Sequence, residues 1–288
     1  MAKKDIEIIH SDAELLIVNK PAGVALEKDT AGSIELIHRL ARQKQTASAD
    51  QLYPIHRIDT EISGITALAK SPDAQKKYKQ KIDDQKLTIT YLVLVTGVVT
   101  ENSGRIETLI TRSKRNPDRM VIPKKKGVPA VTNWRLLANF FGAALLAATD
   151  ITNRKHQVRV HLGCQGMDVA ADNTYGSRRE VWLSDFKSDY RLGKFKTEKP
   201  LINRPAVHAY QMDITADDEK TNTWTAKMDK DFAATLKMLT KHNPNSQDAF
   251  LQPEVFDKLL ETTPLTTERN YPSRPDADDG LDSGFQTS

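Results

Sequence analysis

The sequence predicts an α+β protein built on a mixed, largely antiparallel sheet flanked by helices and loops. Strand-like runs outnumber helical ones, and the helices do not alternate with strands as a doubly wound parallel sheet requires. The strongest single segment is "LTITYLVLVTGVV", residues 87–99. It is apolar with hardly a break after Tyr91, so it is predicted as a central strand buried on both faces.

The elements follow in order. "IEIIH" and "LLIVNK" flank the polar "SDAE" and read as a hairpin. "NKPAG" supplies turn chemistry, with φ fixed at Pro21 and positive φ tolerated at Gly23. Gly32-Ser33 is placed to cap a helix, "SIELIHRLARQK", whose Ile34, Ile37 and Leu40 form an apolar stripe. "HRIDTEISGI" (56–65) leads into the alternating strand "ITALAK", with Ser63-Gly64 expected to turn the chain sharply. Ser71-Pro72-Asp73 reads as an N-cap, an N1 proline and an early acid, opening the basic helix "DAQKKYKQKI". "TRSKRNPDRMVIPKKK" (111–126) holds seven bases against one acid and reads as a loop or ribbon. The strands "AVTNWRLL" and "AALLAATDI" come next. "TNRKHQVRVHLGCQG" then changes to helical period, with Asn153 as expected cap and Gly166 as stop.

Composition excludes several classes. A charged fraction of 28% and a hydrophobic fraction of 39% are those of a globular protein. The single cysteine, Cys164, rules out an internal disulfide and fits a reducing compartment. No apolar run reaches membrane-spanning length, "MAKKDIEIIH" carries no apolar signal region, and no membrane association is expected. There is no P-loop, no GxGxxG and no zinc spacing, so neither metal nor cofactor is expected. The net charge of +4 conceals an acidic end: residues 263–288 carry five acids and two bases, leaving +7 on the rest. A basic body of that size suits a polyanion such as nucleic acid.

Three residues stand out as candidates for chemistry. Asp59 lies in a turn-prone stretch between His56-Arg57 and a strand. Taken alone it reads as a surface acid paired with Arg57. Arg159, on the helix entered from a strand, is placed to point at a site at the strand's end. Tyr91 opens the central strand, where a buried phenol needs a partner. His156 and His161 are five apart and lie on different helix faces, which argues against a metal pair. Cys164 reads as a small packed residue, and a Cys164–His161 nucleophilic pair has no further support.

In combination these segments resemble the RluA-type pseudouridine synthases, from about residue 6 to about residue 215. "DAELLIVNKPAGV" is similar to that family's N-terminal hairpin and turn. "HRIDTEISGI" resembles its signature His-Arg-Leu-Asp, two residues, Thr-Ser-Gly, and "ITYLVLVTG" its tyrosine-bearing strand. "KKGVPAVTNWRLL" resembles the segment before a late core element. "TNRKHQVRVHLGCQGMDVAADNTYG" is similar to Thr-Gly-Arg-Thr-His-Gln-Ile-Arg-Val-His-Leu running to Gly-Asp-x-x-Tyr-Gly. "RPAVHAYQMDI" resembles the late leucine-histidine-alanine strand. The sequence departs from the pattern at Ile62 (usually Thr), Asn153 (Gly), Lys155 (Thr) and Ala171 (Gly), all in loop geometry and none at the acid, tyrosine or arginine.

The resemblance implies a pseudouridine synthase fold with a central RNA-binding cleft, and isomerisation of uridine in ribosomal or transfer RNA. It implies Asp59 as nucleophile, Arg159 as its cation and Tyr91 as the residue under the base. Arg57, Arg154, Lys124, Lys125 and Lys126 are the expected RNA contacts. His56 is expected either to contact RNA or to serve the structure. Residues 1–262 are expected to form one catalytic domain without an appended N-terminal RNA-binding domain, and 263–288 a disordered acidic tail. A cytoplasmic monomer is expected. The rival, a noncatalytic RNA-binding protein on the same fold, predicts damage to Asp59, Tyr91 or Arg159. A sugar-cleaving carboxylate enzyme would need a second acid, and Glu61 is the nearest.

Overall fold

The computed structural model describes residues 5–26, 34–43, 52–140, 142–176, 180–187, 190–191 and 197–242. The chain runs β1 (Glu7–Ser11), β2 (Leu15–Lys20), α1 (Glu35–Arg42), β3 (Tyr53–Pro54), β4 (Ser63–Ala69) and α2 (Pro72–Asp83). Then follow β5 (Leu87–Thr96), β6 (Ser103–Arg112), β7 (Met120–Val121), β8 (Val128–Phe140), β9 (Ala143–Asp150) and α3 (Gln157–Cys164). The last described elements are β10 (Val207–Thr215), β11 (Thr221–Thr225) and α4 (Lys230–Lys241). No helix among the described residues is long and apolar enough to cross a membrane.

Among the described residues eleven strands form one sheet in the order β1-β2-β4-β10-β5-β9-β8-β6-β7, with β3 on β4 and β11 on β10. Among these pairings only β4 with β10 is parallel, so the sheet is mixed and largely antiparallel, as the sequence predicts. Strand β5 lies between β10 and β9 and is buried on both faces. Tyr91, Val93 and Val95 enter the core shared with β2, β4, α1 and α2, while Leu92 and Leu94 enter the one covered by α4.

Two sequence expectations change. Ser63 and Gly64 do not turn the chain; they open β4, and the turn lies earlier, where the Ile62 amide donates to the Asp59 carbonyl at 3.1 Å. Gly64 is needed for close approach instead: with φ +115°, a Cβ there would sit 2.0 Å from the Ala209 carbonyl oxygen on β10. The second change is at α3, which begins at Gln157 and not near Asn153. Asp150 Oδ1 accepts the amides of Thr152 and Asn153, and Gln157 Oε1 accepts the Arg154 amide at 2.9 Å and the Thr152 hydroxyl at 2.7 Å. Side-chain bonds thus hold 150–156 as a turn in competition with helix.

Ser71 caps α2 as predicted, its Oγ accepting the Ala74 amide at 3.1 Å with Pro72 at N1. Helix α4 was not anticipated, although Phe232, Leu236 and Leu239 carry its buried stripe at helical spacing. Gly32-Ser33, residues 177–179, 188–189 and 192–196, and the whole of 243–288, including the expected acidic tail, lie outside the described residues.

Three buried histidines, His56, His161 and His208, tie stability to pH. His56 Nε2 accepts the Ala67 amide, and His208 bonds Ser63 Oγ and the Ala226 carbonyl. Burial pushes all three rings down to about 4, so the fold holds them neutral while the unfolded chain protonates below about pH 6.5. Their contribution is fully present above pH ~6.5 and is lost toward pH ~4, at up to about 1.4 kcal/mol per pH unit for each ring. The melting temperature is expected to fall across that window in calorimetry, with the carboxyl of Asp150, raised by burial to about 7, offsetting the share of one ring. A flat profile would contradict neutral burial.

Candidate active site

Asp59 lies on the connection between β3 and β4, and distant parts of the chain fix that connection. The Thr60 carbonyl accepts the Gly23 amide at 2.8 Å and the Lys20 ammonium at 3.2 Å. Lys20 is fully buried, also donates to the Val24 and Pro21 carbonyls, and burial lowers it to about 7. Asn153 clamps Arg57 from the other side: its Oδ1 accepts the Arg57 amide at 2.8 Å and its Nδ2 donates to the Arg57 carbonyl at 3.3 Å. Asn153 does this with φ +51°, so it keeps the left-handed turn of the glycine it stands in for and adds a contact. Ala171 likewise keeps positive φ, +55°.

The Asp59 carboxylate then meets α3. Arg159 Nη1 donates to Asp59 Oδ2 at 2.8 Å, while Nε and Nη2 form a bidentate pair with Asp172 at 2.6 and 2.8 Å. Glu61 stands 3.5 Å away but is half exposed. Burial opposes a charge on Arg159, yet the bonds from Asp172 and the charge of Asp59 outweigh it and hold the guanidinium firmly protonated. Asp172 is itself fully buried. Burial raises its carboxyl, but the Arg159 pair and the Thr174 and Tyr175 amides bring it below the usual carboxylate range.

Two aromatic rings close the cluster. The Tyr175 hydroxyl accepts the Met120 amide at 2.7 Å, so its proton is directed to His156 Nδ1, also at 2.7 Å. That leaves the His156 Nε2–H facing Asp59 Oδ1 at 3.6 Å, too long for a hydrogen bond in this state. Burial lowers His156, partly offset by Asp59, so the neutral ring is favoured. The Arg159 guanidinium also lies over the Tyr175 ring, 5.1 Å from its centroid. Tyr91 is 5% exposed, and burial, followed by the charges of Asp150 and Asp59, raises its phenol well above 10.

Asp59, Tyr91, Asp150, His156 and Arg159 line one notch of about 20 Å³, the room one water needs. A neighbouring cavity of about 520 Å³ shares Arg57, Ile58 and Arg154 with it and adds Lys79. A larger cavity of about 950 Å³ is lined by Asp5, Glu7, Glu61, Asp229 and Asp231 against Arg204, Lys227 and Lys230. That excess of acids repels a polyanion, and the cavity reaches neither Asp59 nor Tyr91. The notch is therefore the candidate site.

The sequence-predicted trio thus meets in one place. Arg57 is exposed at its mouth, and Arg154 is half-buried, donating to the Pro129 carbonyl at 3.2 Å. Lys124, Lys125 and Lys126 are exposed on the connection from β7 to β8, and β7 reaches the cluster through the Met120 bond to Tyr175. His56 departs from its expected RNA contact: at 5% exposed it pins β4 through Ala67 and cannot reach RNA. Cys164 is exposed, not packed. His161 is fully buried between Thr108 and Thr132, which leaves no Cys-His pair. Among the described residues no group of three His, Cys, Asp or Glu side chains could hold a metal. Sequence reading missed Asp172, His156 and Tyr175, although the Asp172–Tyr175 spacing matches the Gly-Asp-x-x-Tyr-Gly pattern.

A family model described as RNA pseudouridylate synthase matches residues 14–163, just over half of the chain. The chain belongs to that family. The match covers Asp59, Tyr91 and Arg159 but ends before Asp172. A ribosomal large subunit pseudouridine synthase D from Borreliella burgdorferi is 29% identical over 69% of this chain and 65% of its own length. One of the same description from Neisseria meningitidis serogroup B is 28% identical over 81% of this chain and 61% of its own. The chain therefore spans less than two thirds of these relatives. Human RNA pseudouridylate synthase domain containing 4 shares the fold at a TM-score of 0.60, with 22% identity over 81% of this chain and 92% of that one. Human RNA pseudouridylate synthase domain containing 1 does so at 0.54, with 18% identity over 84% and 97%. The mixed sheet is thus the pseudouridine synthase fold.

In this family member, Arg159→Ala leaves Asp172 buried without its cation. A stability loss of about 3 to 5 kcal/mol is expected in urea unfolding. A loss below about 1 kcal/mol would place the pair among solvated surface bridges.

Proposed function

We propose that this chain isomerises uridine within RNA to pseudouridine, with Asp59 as the nucleophile. The observation that carries this reading is the Asp59–Arg159 bond of 2.8 Å on a clamped turn beside Tyr91, in a pseudouridine synthase fold. In the reaction the N1–C1′ bond breaks, the base rotates, and C5 bonds to C1′. Asp59 serves by attacking the sugar or the base, or by assisting a glycal route. Arg159 keeps the carboxylate oriented and compensates its burial. Tyr91 lies under the base. No step changes oxidation state, so no cofactor is required.

A notch of about 20 Å³ admits no uracil as it stands, so the base enters by flipping and by displacing side chains at the mouth. Arg57 is placed there to grip phosphate or to fill the space the base leaves, with Arg154 beside it. The names of the relatives favour ribosomal over transfer RNA as partner. A cytoplasmic monomer formed by residues 1–262 fits the reading. A noncatalytic RNA-binding role has less support, because Asp59, Tyr91 and Arg159 are all intact and in register.

Asp59→Asn keeps size and removes the charge. Binding to RNA is expected to change little, while isomerisation, followed by hydrogen release from C5 of labelled uridine, disappears. Full turnover by this variant would end the mechanism. Tyr91→Phe keeps the ring and is expected to bind RNA but stall at or before C5 proton loss. Neutralising Lys124, Lys125 and Lys126 together is expected to flatten the salt dependence of binding, by up to about 0.7 to 0.9 log–log units for each phosphate no longer neutralised. An unchanged slope would remove the ribbon from the RNA interface.

A further inference from the structure

Strand β9 ends on Asp150, a carboxylate to which the catalysis above gives no task. Its Oδ1 accepts the Thr152 amide at 3.2 Å and the Asn153 amide at 2.7 Å, closing the turn into α3. Closing that turn needs one side-chain oxygen, which an asparagine also supplies. Oδ2 accepts no hydrogen bond among the described residues, although Asp150 is only 4% exposed and lines the notch with Asp59 and Tyr91. A carboxyl with one oxygen left open on the notch that Asp59 and Tyr91 line is more than closing the turn requires.

The surroundings suit a group that exchanges a proton. In the sheet Asp150 lies opposite Ile89 of β5 and Thr132 of β8, neither of which is charged. The titratable groups acting on it are Tyr91 from β5, Asp59 from the clamped loop and Arg154 from the following turn. Burial pushes its carboxyl up to about 7. The two turn amides and Arg154 hold it down, and Asp59 adds to the rise. A general base works best near the ambient pH, and Asp150 is in that range. Burial raises the Tyr91 phenol, so Tyr91 acts under the base with its proton on, ahead of C5 proton loss, and Asp59 is tied to Arg159.

We propose that Asp150 is a catalytic residue that takes the C5 proton of the rotated base on its free Oδ2. This rests on the isomerisation proposed above. When C5 bonds to C1′, the C5=C6 pair forms the new bond, the N1 pair forms N1=C6 and, on the sugar-attack route, the C1′–Asp59 bond breaks with its pair returning to the carboxylate. C5 is then tetrahedral and still carries its hydrogen. Asp150 takes that proton, the C5–H pair rebuilds C5=C6, and the N1=C6 pair returns to N1, which is protonated by water. Asp150 then releases its proton to solvent. Nothing is oxidised or reduced.

Asp150→Asn keeps an oxygen for the turn amides and removes the acceptor. The test compares full-length wild type and variant on transcribed ribosomal RNA carrying either 5-deuterouridine or ordinary uridine, with a melting curve for each protein. The variant is expected to turn over at least about 10²-fold more slowly and to gain a primary isotope effect at C5 that the wild type lacks. If it melts early, Asp150→Ser, which also closes such turns, carries the same test. Unchanged turnover, or slow turnover without an isotope effect, overturns the assignment and leaves Asp150 a turn closer. A wild type that isomerises no uridine in any RNA overturns the parent reading, and this one with it.

Discussion

Arg159 lies buried between two carboxylates, and the geometry of the site follows from sheltering that one cation. Its planar fork spends two donors on Asp172 and one on Asp59, a division that a lysine point charge could not make. Asp172 in turn accepts the Thr174 and Tyr175 amides and so places the Tyr175 ring. Tyr175 sets the tautomer of His156 and receives the amide of β7. A chain of hydrogen bonds therefore runs from the proposed nucleophile to the base of the basic ribbon. Such a network is costly when incomplete, which gives each member a reason to be present.

A second constraint is dryness. The notch excludes all but about one water, and the raised carboxyl of Asp150 and the raised phenol of Tyr91 both arise first from burial. In such a medium the Arg159 guanidinium stays bonded to Asp59 at 2.8 Å and orients its carboxylate. Access has to come from side chains at the mouth, since the turn beneath Asp59 is clamped by Lys20, Gly23 and Asn153.

The sheet class, the central strand, the Ser71 cap and the meeting of Asp59 with Arg159 were legible in the sequence. Apolar runs and cap chemistry act locally, and the family pattern linked the distant stretches. The start of α3 was not legible, because the competing bonds come from Asp150 and Gln157 side chains that periodicity ignores. The role of Gly64 was misread as a turn, since its need is set by Ala209 in a strand 145 residues away. Of the two roles left open for His56 the structural one is seen, and the sequence could not choose it because its partner is a backbone amide on β4 that nothing in "HRID" announces. Asp172 and Tyr175 lacked meaning until their partner on α3 was in view.

The close approach of Gly64 to Ala209 belongs to the one parallel pairing of the described sheet, and its position has a consequence for assembly. Strands β4 and β5 follow one another in the sequence but are not neighbours; β10, made far later, fills the space between them. Until residues 207–215 arrive, the inner edge of β5 and the Ser63–Gly64 start of β4 have no strand partner, β3 covering only the far end of β4, and the loop bearing Asp59 leads straight into that open start. Closure of this kind has high contact order and is slow relative to hairpin formation. A growing chain therefore carries Asp59, Tyr91 and Arg159 well before it can hold them together, and the notch they line is among the last parts of the sheet to be completed.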